Sequence, residues 1–499
     1  MRTILMTMLM LPLGCTIGGC ALSLPPGGFG NDNAAPGEPS DADDVLLDPA
    51  GGDVGRPIGE TDGTVADGDV IAGDPVPDDS GAPPDDESTT TPPPDGDDTE
   101  MPLPDDVPLP PDNVQSGTLT AGSFDDNLNY DVYQSFIAQL LQNDAAEQLP
   151  ALNLGRRVVI TVRNDAGQPV GDARVTVIGA SANDQQAQAA LDTTTGSDGR
   201  VLFLTNLDGA GDESEFLLTI TPPDGSDPLT VMANAADAAW DITLPAVAST
   251  TPSRLDLAFV VDATGSMADE LEFLKIEIDA IASGIQSAFP NVAQRFALIV
   301  YRDFGDDYVT RVFDFTASLG DFQNDLSAQF ASGGGDYPEA MHVAVEDAAA
   351  LSWTETGTAR MMFLIADAPP HVEFGERTME GIADLRDAGV AIYPVAASGV
   401  ADEAEFFMRT AAFVTLSRYL FLTDDSGVGN AHAEPRVPCY HVQRLDRLMI
   451  DMITAELNGT QTNPDPATII RTVGHPVDGV CTAAPSDFQP DNGSEPQAP

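Results

Sequence analysis

Lysine is almost missing from this sequence. Lys275 is the only one in 499 residues, and 21 basic residues stand against 80 acidic ones, a formal net charge of −59. Phosphate backbones and anionic headgroups are gripped by clustered Lys and Arg, so this composition argues against nucleic acid as a partner and against electrostatic docking on a membrane. Long apolar runs are missing too. The longest near the N-terminus, Ile4–Leu13, is too short to span a bilayer, and nothing later is long and apolar enough. The familiar catalytic signatures are absent as well: no Gly-x-Ser-x-Gly elbow, no phosphate-binding loop, no His-Glu-x-x-His helix. A metal-dependent hydrolase would need a general base or nucleophile beside its cation, and none is evident. The expectation is therefore not an enzyme.

What is present changes character along the chain. Residues 1–20 read as a signal sequence, with Arg2 as its charged start. Residues 21–115 hold 24 Asp or Glu against one Arg, with Phe29 the only aromatic. Such a segment cannot bury enough apolar surface to offset chain entropy and is expected to be a disordered acidic linker. Residues 116–153 are expected to be a helical segment, because Val132, Phe136, Ile137, Leu140 and Leu141 recur at helical spacing. Residues 154–247 read as a small β-sandwich. Strands Val158–Val162 and Ala173–Ile178 flank an Asn164–Pro169 turn, and further strand and turn signals follow.

From 254 to 458 the pattern alternates. Apolar strands at Leu255–Val261, Phe296–Tyr301, Met361–Ala366, Val390–Ala396 and Tyr419–Leu422 are separated by amphipathic helical stretches, the last at His441–Leu457. This predicts an α/β fold, a doubly wound, mostly parallel sheet covered on both faces, with Tyr308–Phe315 as an antiparallel edge. Residues 459–499 are left as a C-terminal tail.

Ligands of open α/β sheets bind beyond the carboxyl ends of the strands. Three loops sit at such ends. The first is Asp262-Ala263-Thr264-Gly265-Ser266, a carboxylate and two hydroxyls spaced two apart. The second runs Gly333-Gly334-Gly335-Asp336-Tyr337-Pro338-Glu339. The third is Asp367-Ala368-Pro369-Pro370-His371. Hard oxygen donors at this spacing suit Mg²⁺, or Mn²⁺ or Ca²⁺. Each Asp can equally be an ordinary helix N-cap. Asp303, Asp306 and Asp307 can form a second cation site or a solvated turn, and His371 is a candidate ligand contact or a surface histidine.

These loops, in this order, make 254–458 resemble a von Willebrand factor type A domain of the Rossmann-like kind. The first is similar to that family's D-x-S-x-S metal-ion-dependent adhesion site, and Asp367 falls in the acidic position of its T-D-G loop. The resemblance implies direct metal ligation by Thr264 and Ser266, with Asp262 and Asp367 acting directly or through water. It leaves one position for a carboxylate from a partner protein. The second loop departs from the family: Gly335 stands where a Thr is usual, and Asp336 is expected to replace it as the ligand. The sandwich similarly looks like the Ig-like modules of bacterial surface proteins.

Ile17-Gly18-Gly19-Cys20 resembles a bacterial lipobox, which implies lipidation at Cys20, export, and a lipid anchor as the only membrane attachment. The outer membrane or cell surface is the expected place. Cys439 and Cys481 then remain, and two thiols in an oxidising compartment suggest one disulfide, the alternatives being free thiols or a zinc site with His432 and His441. Closing a loop of about 40 residues contributes about 3–4 kcal/mol in the chain-entropy view. Two functions follow as expectations: an envelope-anchored adhesion protein that grips an acidic residue of a protein partner through its metal, or a structural or assembly component of an envelope complex in which the metal is incidental.

Overall fold

The computed structural model describes residues 115–482, apart from 143–147, 181–188, 250, 336, 398, 428–431, 433, 434 and 462. The expected signal sequence with Cys20, and the acidic stretch as far as 114, lie outside the described residues. Those described all fall in one compact unit, Asp97–Pro499.

The chain enters through β1 (Thr120–Phe124) and α1 (Tyr130–Leu140). Seven strands follow: β2 (Arg157–Asn164), β3 (Arg174–Gly179), β4 (Leu191–Thr194), β5 (Arg200–Leu204), β6 (Glu215–Thr221), β7 (Leu229–Asn234) and β8 (Ala239–Leu244). They form two sheets, β5-β2-β8 and β4-β3-β6-β7. Alternate residues Val158, Ile160 and Val162 of β2 and Phe216, Leu218 and Ile220 of β6 are buried in one shared core. That is the period-two pattern of sheets with one covered face. Trp240 plugs the core, its ring 5.6 Å from Phe203 and 5.8 Å from Phe216. Truncating such a ring costs about 3–5 kcal/mol.

The larger layer is a nine-stranded sheet. It contains β9 (Arg254–Asp262), β10 (Ala293–Tyr301), β11 (Thr310–Thr316), β12 (Thr358–Ala366), β13 (Ala391–Ala396), β14 (Tyr419–Thr423), β15 (Tyr440–Arg444) and β16 (Arg471–Val473), in the order β11-β10-β9-β12-β13-β14-β1-β15-β16. β10, β9, β12, β13 and β14 run parallel, and β11 closes one edge antiparallel. Helices α2 (Ala268–Ala288), α3 (Leu319–Ser327), α4 (Met341–Ala349), α5 (Gly375–Asp387), α6 (Asp402–Val414) and α7 (Leu445–Asn458) cover it. In β9 the odd residues Leu255, Leu257, Phe259 and Val261 face α2, α3 and α7, while Ala258 and Val260 face α1, α4, α5 and α6. A strand buried on both sides has no polar face, which is why it reads as a continuous apolar run. On α2, Leu271, Leu274, Ile278, Ile281 and Ile285 form the buried stripe at helical spacing. The expected mixed α/β architecture with its mostly parallel sheet is the one observed.

Three boundaries differ from the sequence reading. The 116–153 segment does hold a helix, but its first part is a strand, β1, inserted antiparallel between β14 and β15. Thr-Ala-Gly-Ser-Phe looks like a loop because its small residues answer a packing demand. A Cβ on Gly122 would come within 2.5 Å of the Phe421 ring and 2.8 Å of the Tyr440 ring. Residues 440–444 form strand β15, so the helix expected from His441 begins at Leu445. The stretch from 459, expected as a tail, contributes β16 to the sheet and a short hairpin, β17 (Pro476–Val477) with β18 (Val480–Cys481). Cys439 and Cys481 are disulfide-bonded with Cα atoms 5.6 Å apart, and the bond holds that hairpin against the body.

Candidate metal centre

The first loop turns sharply off the end of β9. Asp262 Oδ1 accepts from the Thr264 backbone N–H at 2.9 Å and from the Thr264 hydroxyl at 2.7 Å. The Thr264 and Ser266 hydroxyls are 3.1 Å apart. Asp262 and Thr264 are fully buried, whereas Ser266 opens to solvent. Neither helix start uses Asp262 or Asp367 as its cap: a 3₁₀ turn, Gly265–Met267, precedes α2 behind Thr264, and α5 follows a 3₁₀ turn behind His371.

Backbone contacts stitch the three loops together. Gly265 N donates to Gly333 O and Ser332 N to Ala263 O, both at 3.0 Å. Glu339 N donates to Pro369 O at 2.9 Å, and the Tyr337 hydroxyl donates to Asp367 O at 3.0 Å. Gly333 and Gly334 have φ of +84° and +74°, and a Cβ on Gly333 would sit 2.3 Å from the Asp306 carboxylate. Only glycine gives a backbone that turns left-handed this close to another chain segment. The buried Arg302 braces the arrangement, donating to Ala263 O at 3.1 Å and Phe330 O at 2.8 Å.

Asp262 and Asp367, expected as ligands, are brought to one end of the sheet and are both buried there. Asp336 lies outside the described residues. The acid that the second loop delivers among those described is Glu339, which the sequence reading quoted but did not choose. It is 3% exposed. Burial, reinforced by the charges of Asp262, Asp303, Asp367 and Asp306, pushes its carboxyl up to about 9. Burial and the Asp367 charge push Asp262 up to about 7. Burial and the charges of Asp262, Asp367 and Glu339 hold the Tyr301 hydroxyl well above its ordinary range. Asp262 Oδ2 and Glu339 Oε2 are buried and have no hydrogen-bond partner among the described residues. A sequence signal for Glu339 existed: it follows Pro338, whose ring fixes its own φ, two residues before helix α4 begins at Met341.

Orphaned carboxylate oxygens beside two hydroxyls are what a hard divalent cation satisfies. Asp262, Glu339 and Asp367 would supply charge, and Thr264 and Ser266 neutral oxygens. Among the described residues no three His, Cys, Asp or Glu side chains are grouped as metal ligands by themselves, so the donor set depends on the hydroxyls.

The remaining expected candidates are tied up otherwise. Asp306 Oδ2 accepts from Gly334 N at 2.8 Å and Asp303 N at 3.2 Å, and Asp303 Oδ1 pairs with His371 Nε2 at 2.6 Å. These carboxylates shape the loops. Cys439 is in a disulfide and is thus not a thiolate for zinc, and His441 Nδ1 contacts the Thr472 hydroxyl at 2.9 Å. Phe304, Tyr337 and Val372 stand 50%, 42% and 48% exposed on the loops that carry the acids.

Residues 256–391 match the von Willebrand factor A domain family. An ariadne-like RING finger protein of Acanthamoeba polyphaga mimivirus is 37% identical over 117 residues, 23% of this chain and 11% of that protein. An alpha-protein kinase of Dictyostelium discoideum is 33% identical over 119 residues, 23% of this chain and 19% of that protein. The chain thus spans only about a tenth to a fifth of the length of these curated relatives. Among solved structures, the chain is similar to the conserved hypothetical protein BatB of Bacteroides thetaiotaomicron, with 13% identity, 40% of this chain, 98% of the other and a TM-score of 0.29. The pilus adhesin SpaC of Lactobacillus rhamnosus GG shares 12% identity over 41% of this chain and 29% of its own, with a TM-score of 0.28. The site loops at Asp262, Glu339 and Asp367 all lie within the residues that match the von Willebrand factor A domain family.

Proposed function

We propose that this protein binds a protein partner through a divalent cation, Mg²⁺ or a close substitute such as Mn²⁺ or Ca²⁺, held at the end of the parallel sheet. The observation that carries the reading is the gathering of buried acids, Asp262, Glu339 and Asp367, beside the Thr264 and Ser266 hydroxyls, with burial and mutual charge raising Asp262 and Glu339. A cation placed there would satisfy Asp262 Oδ2 and Glu339 Oε2, buried oxygens that accept no hydrogen bond among the described residues. Mg²⁺ keeps exchangeable positions when few protein ligands hold it, which suits a site completed by an incoming carboxylate. The half-exposed Phe304, Tyr337 and Val372 around it supply apolar contact for a protein surface.

The setting belongs to the same proposal. The lipid on Cys20 would tether the chain to the cell envelope, and the acidic stretch after it would hold the folded unit away from the membrane. The role is binding and not catalysis. Pull-down from envelope extract with and without EDTA tests it: partners released by chelation support adhesion. Partners retained through chelation would replace it with a structural or assembly role. Calorimetry with Mg²⁺ on Glu339→Gln and Asp336→Ala, side by side, identifies which acid of the second loop holds the ion. Mass spectrometry of the wild type and Cys20→Ala tests the anchor.

A further inference from the structure

The strands that end a sheet in this molecule are guarded by charge, with one exception. In the sheets of three or more strands the edges are β11, β16, β5, β8, β4 and β7. β11 carries Arg311 and Asp314, β16 Arg471, β5 Arg200, β8 Asp241 and β4 Asp192. Charge on an edge discourages another strand from adding to it. β4 is also covered, since the Thr193 hydroxyl donates to Arg386 O of α5 at 2.9 Å. β7, at the opposite end of that sheet, has no charge, no proline and no glycine, and residues 228–236 are uncharged throughout.

The ladder fixes its open side. Ala235 N donates to Ser214 O at 2.9 Å, so the backbone of Ala235 faces the β6 side. Residues two apart in an antiparallel strand share a side. Leu229, Val231 and Ala233 therefore turn their N–H and C=O groups to β6, while Thr230, Met232 and Asn234 turn theirs outward. Asn234 O is taken by Trp240 Nε1 at 3.0 Å. The N–H and C=O groups of Thr230 and Met232 remain, with no strand beyond them among the described residues. The edge is apolar on both faces. Leu229, Val231 and Ala233 are half-buried at the margin of the sandwich core. On the other face Met232 is 61% exposed and pairs across the sheet with Leu217, itself 38% exposed.

We propose that β7 is a self-association edge, through which two copies of this chain join antiparallel about a two-fold axis and extend the four-stranded sheet to eight strands. With the axis beside Val231, Thr230 of each copy lies opposite Met232 of the other, and their outward N–H and C=O groups exchange hydrogen bonds with none left over. Val231 then meets its own copy, and Leu229 meets Ala233, which closes the margin of both cores. A second copy fits this edge better than a charged partner. Nothing on β7 would steer a basic strand, whereas self-pairing sets no acid opposite an acid, the arrangement that a chain of net charge −59 has to avoid. The nearest acids in sequence, Asp227 and Asp237, fall outside the strand. One short strand pair buries less than the about 1,200 Å² of a standard interface, so the dimer is weak and responds to concentration.

Sedimentation velocity of the full chain tests the edge, in EDTA so that no cation bridges two copies, and in about 0.5 M salt to screen the repulsion between acidic chains. The wild type should move from monomer toward dimer as its concentration rises. Thr230→Pro removes an outward N–H at a position where an edge strand tolerates proline, and Met232→Glu brings a like charge from each copy to the seam. Each should weaken the dimer by about tenfold or more. A wild type that stays monomeric up to millimolar concentration, or variants that associate as tightly as it does, overturns the proposal. Should a variant not fold, amide exchange in the wild type decides. The Thr230 and Met232 amides should gain protection with concentration, while those of Val231 and Ala233 are protected throughout; exchange at Thr230 and Met232 that ignores concentration overturns the proposal.

Discussion

Two clusters of buried acids in this protein are built in opposite ways. Asp126 and Glu405 share one counter-ion, Arg409, which is itself fully buried. Its Nε and Nη2 fork onto Asp126 at 3.0 and 2.6 Å, its Nη1 meets Glu405 at 3.0 Å, and the centre of the Phe136 ring lies 3.9 Å from the guanidinium carbon. Burial still raises both acids, with Arg409 pulling the other way. At the other cluster, burial and the charges of neighbouring acids push Asp262 and Glu339 upward, and no arginine opposes the rise. The first cluster pins the N-terminal segment to α6 and is complete within the chain. The second is, on the proposed reading, completed by a cation. Carboxylates perturbed by burial and by one another gather at functional sites.

The contrast breaks most visibly at Arg409. Arg409→Met should cost about 3–5 kcal/mol in urea unfolding, because it strands two buried carboxylates. It should leave Mg²⁺ affinity unchanged in calorimetry. Asp262→Asn should do the reverse: Mg²⁺ affinity falls by about a hundredfold, near 3 kcal/mol, while the metal-free chain unfolds no earlier than wild type. Glu339→Gln should weaken Mg²⁺ by about tenfold, since it retains a neutral oxygen in place.

The smallest effect is in pH. Asp262 and Glu339 take up protons on folding because their folded values, about 7 and about 9, lie above the ordinary carboxylate range. The metal-free chain is therefore stabilised by them at acid pH and loses that stability progressively from the ordinary carboxylate range up to those two values. Differential scanning calorimetry should show Tm falling by a few degrees across that whole range. Saturating Mg²⁺ should flatten the slope; a slope unaffected by Mg²⁺ would place the ion elsewhere.

Much of the fold was legible because its cause is local. Strands covered on both faces must be apolar throughout, so β9, β10, β12, β13 and β14 announce themselves. The stripe on α2 does the same through its spacing. The three loops were legible because oxygen donors clustered where such strands end. β1 was not, since Gly122 is a strand residue only by virtue of the Phe421 and Tyr440 rings that leave no room for a Cβ. Nor was Glu339 singled out by residue type, since Asp336 is an acid in the same loop. What marks Glu339 is the hydrogen bond of its backbone to Pro369 and its burial among acids from other loops.

The sequence alone determined the chain's overwhelming negative charge, the alternation of apolar strands with amphipathic helices, and the run of oxygen donors from Asp262 to Ser266. These depend on composition and on neighbours a few residues apart. The tertiary structure decided which charges are answered and which are not. Arg409 reaches across 283 positions to Asp126, because desolvation and distance, which set the cost of a charge, exist only once the chain has folded.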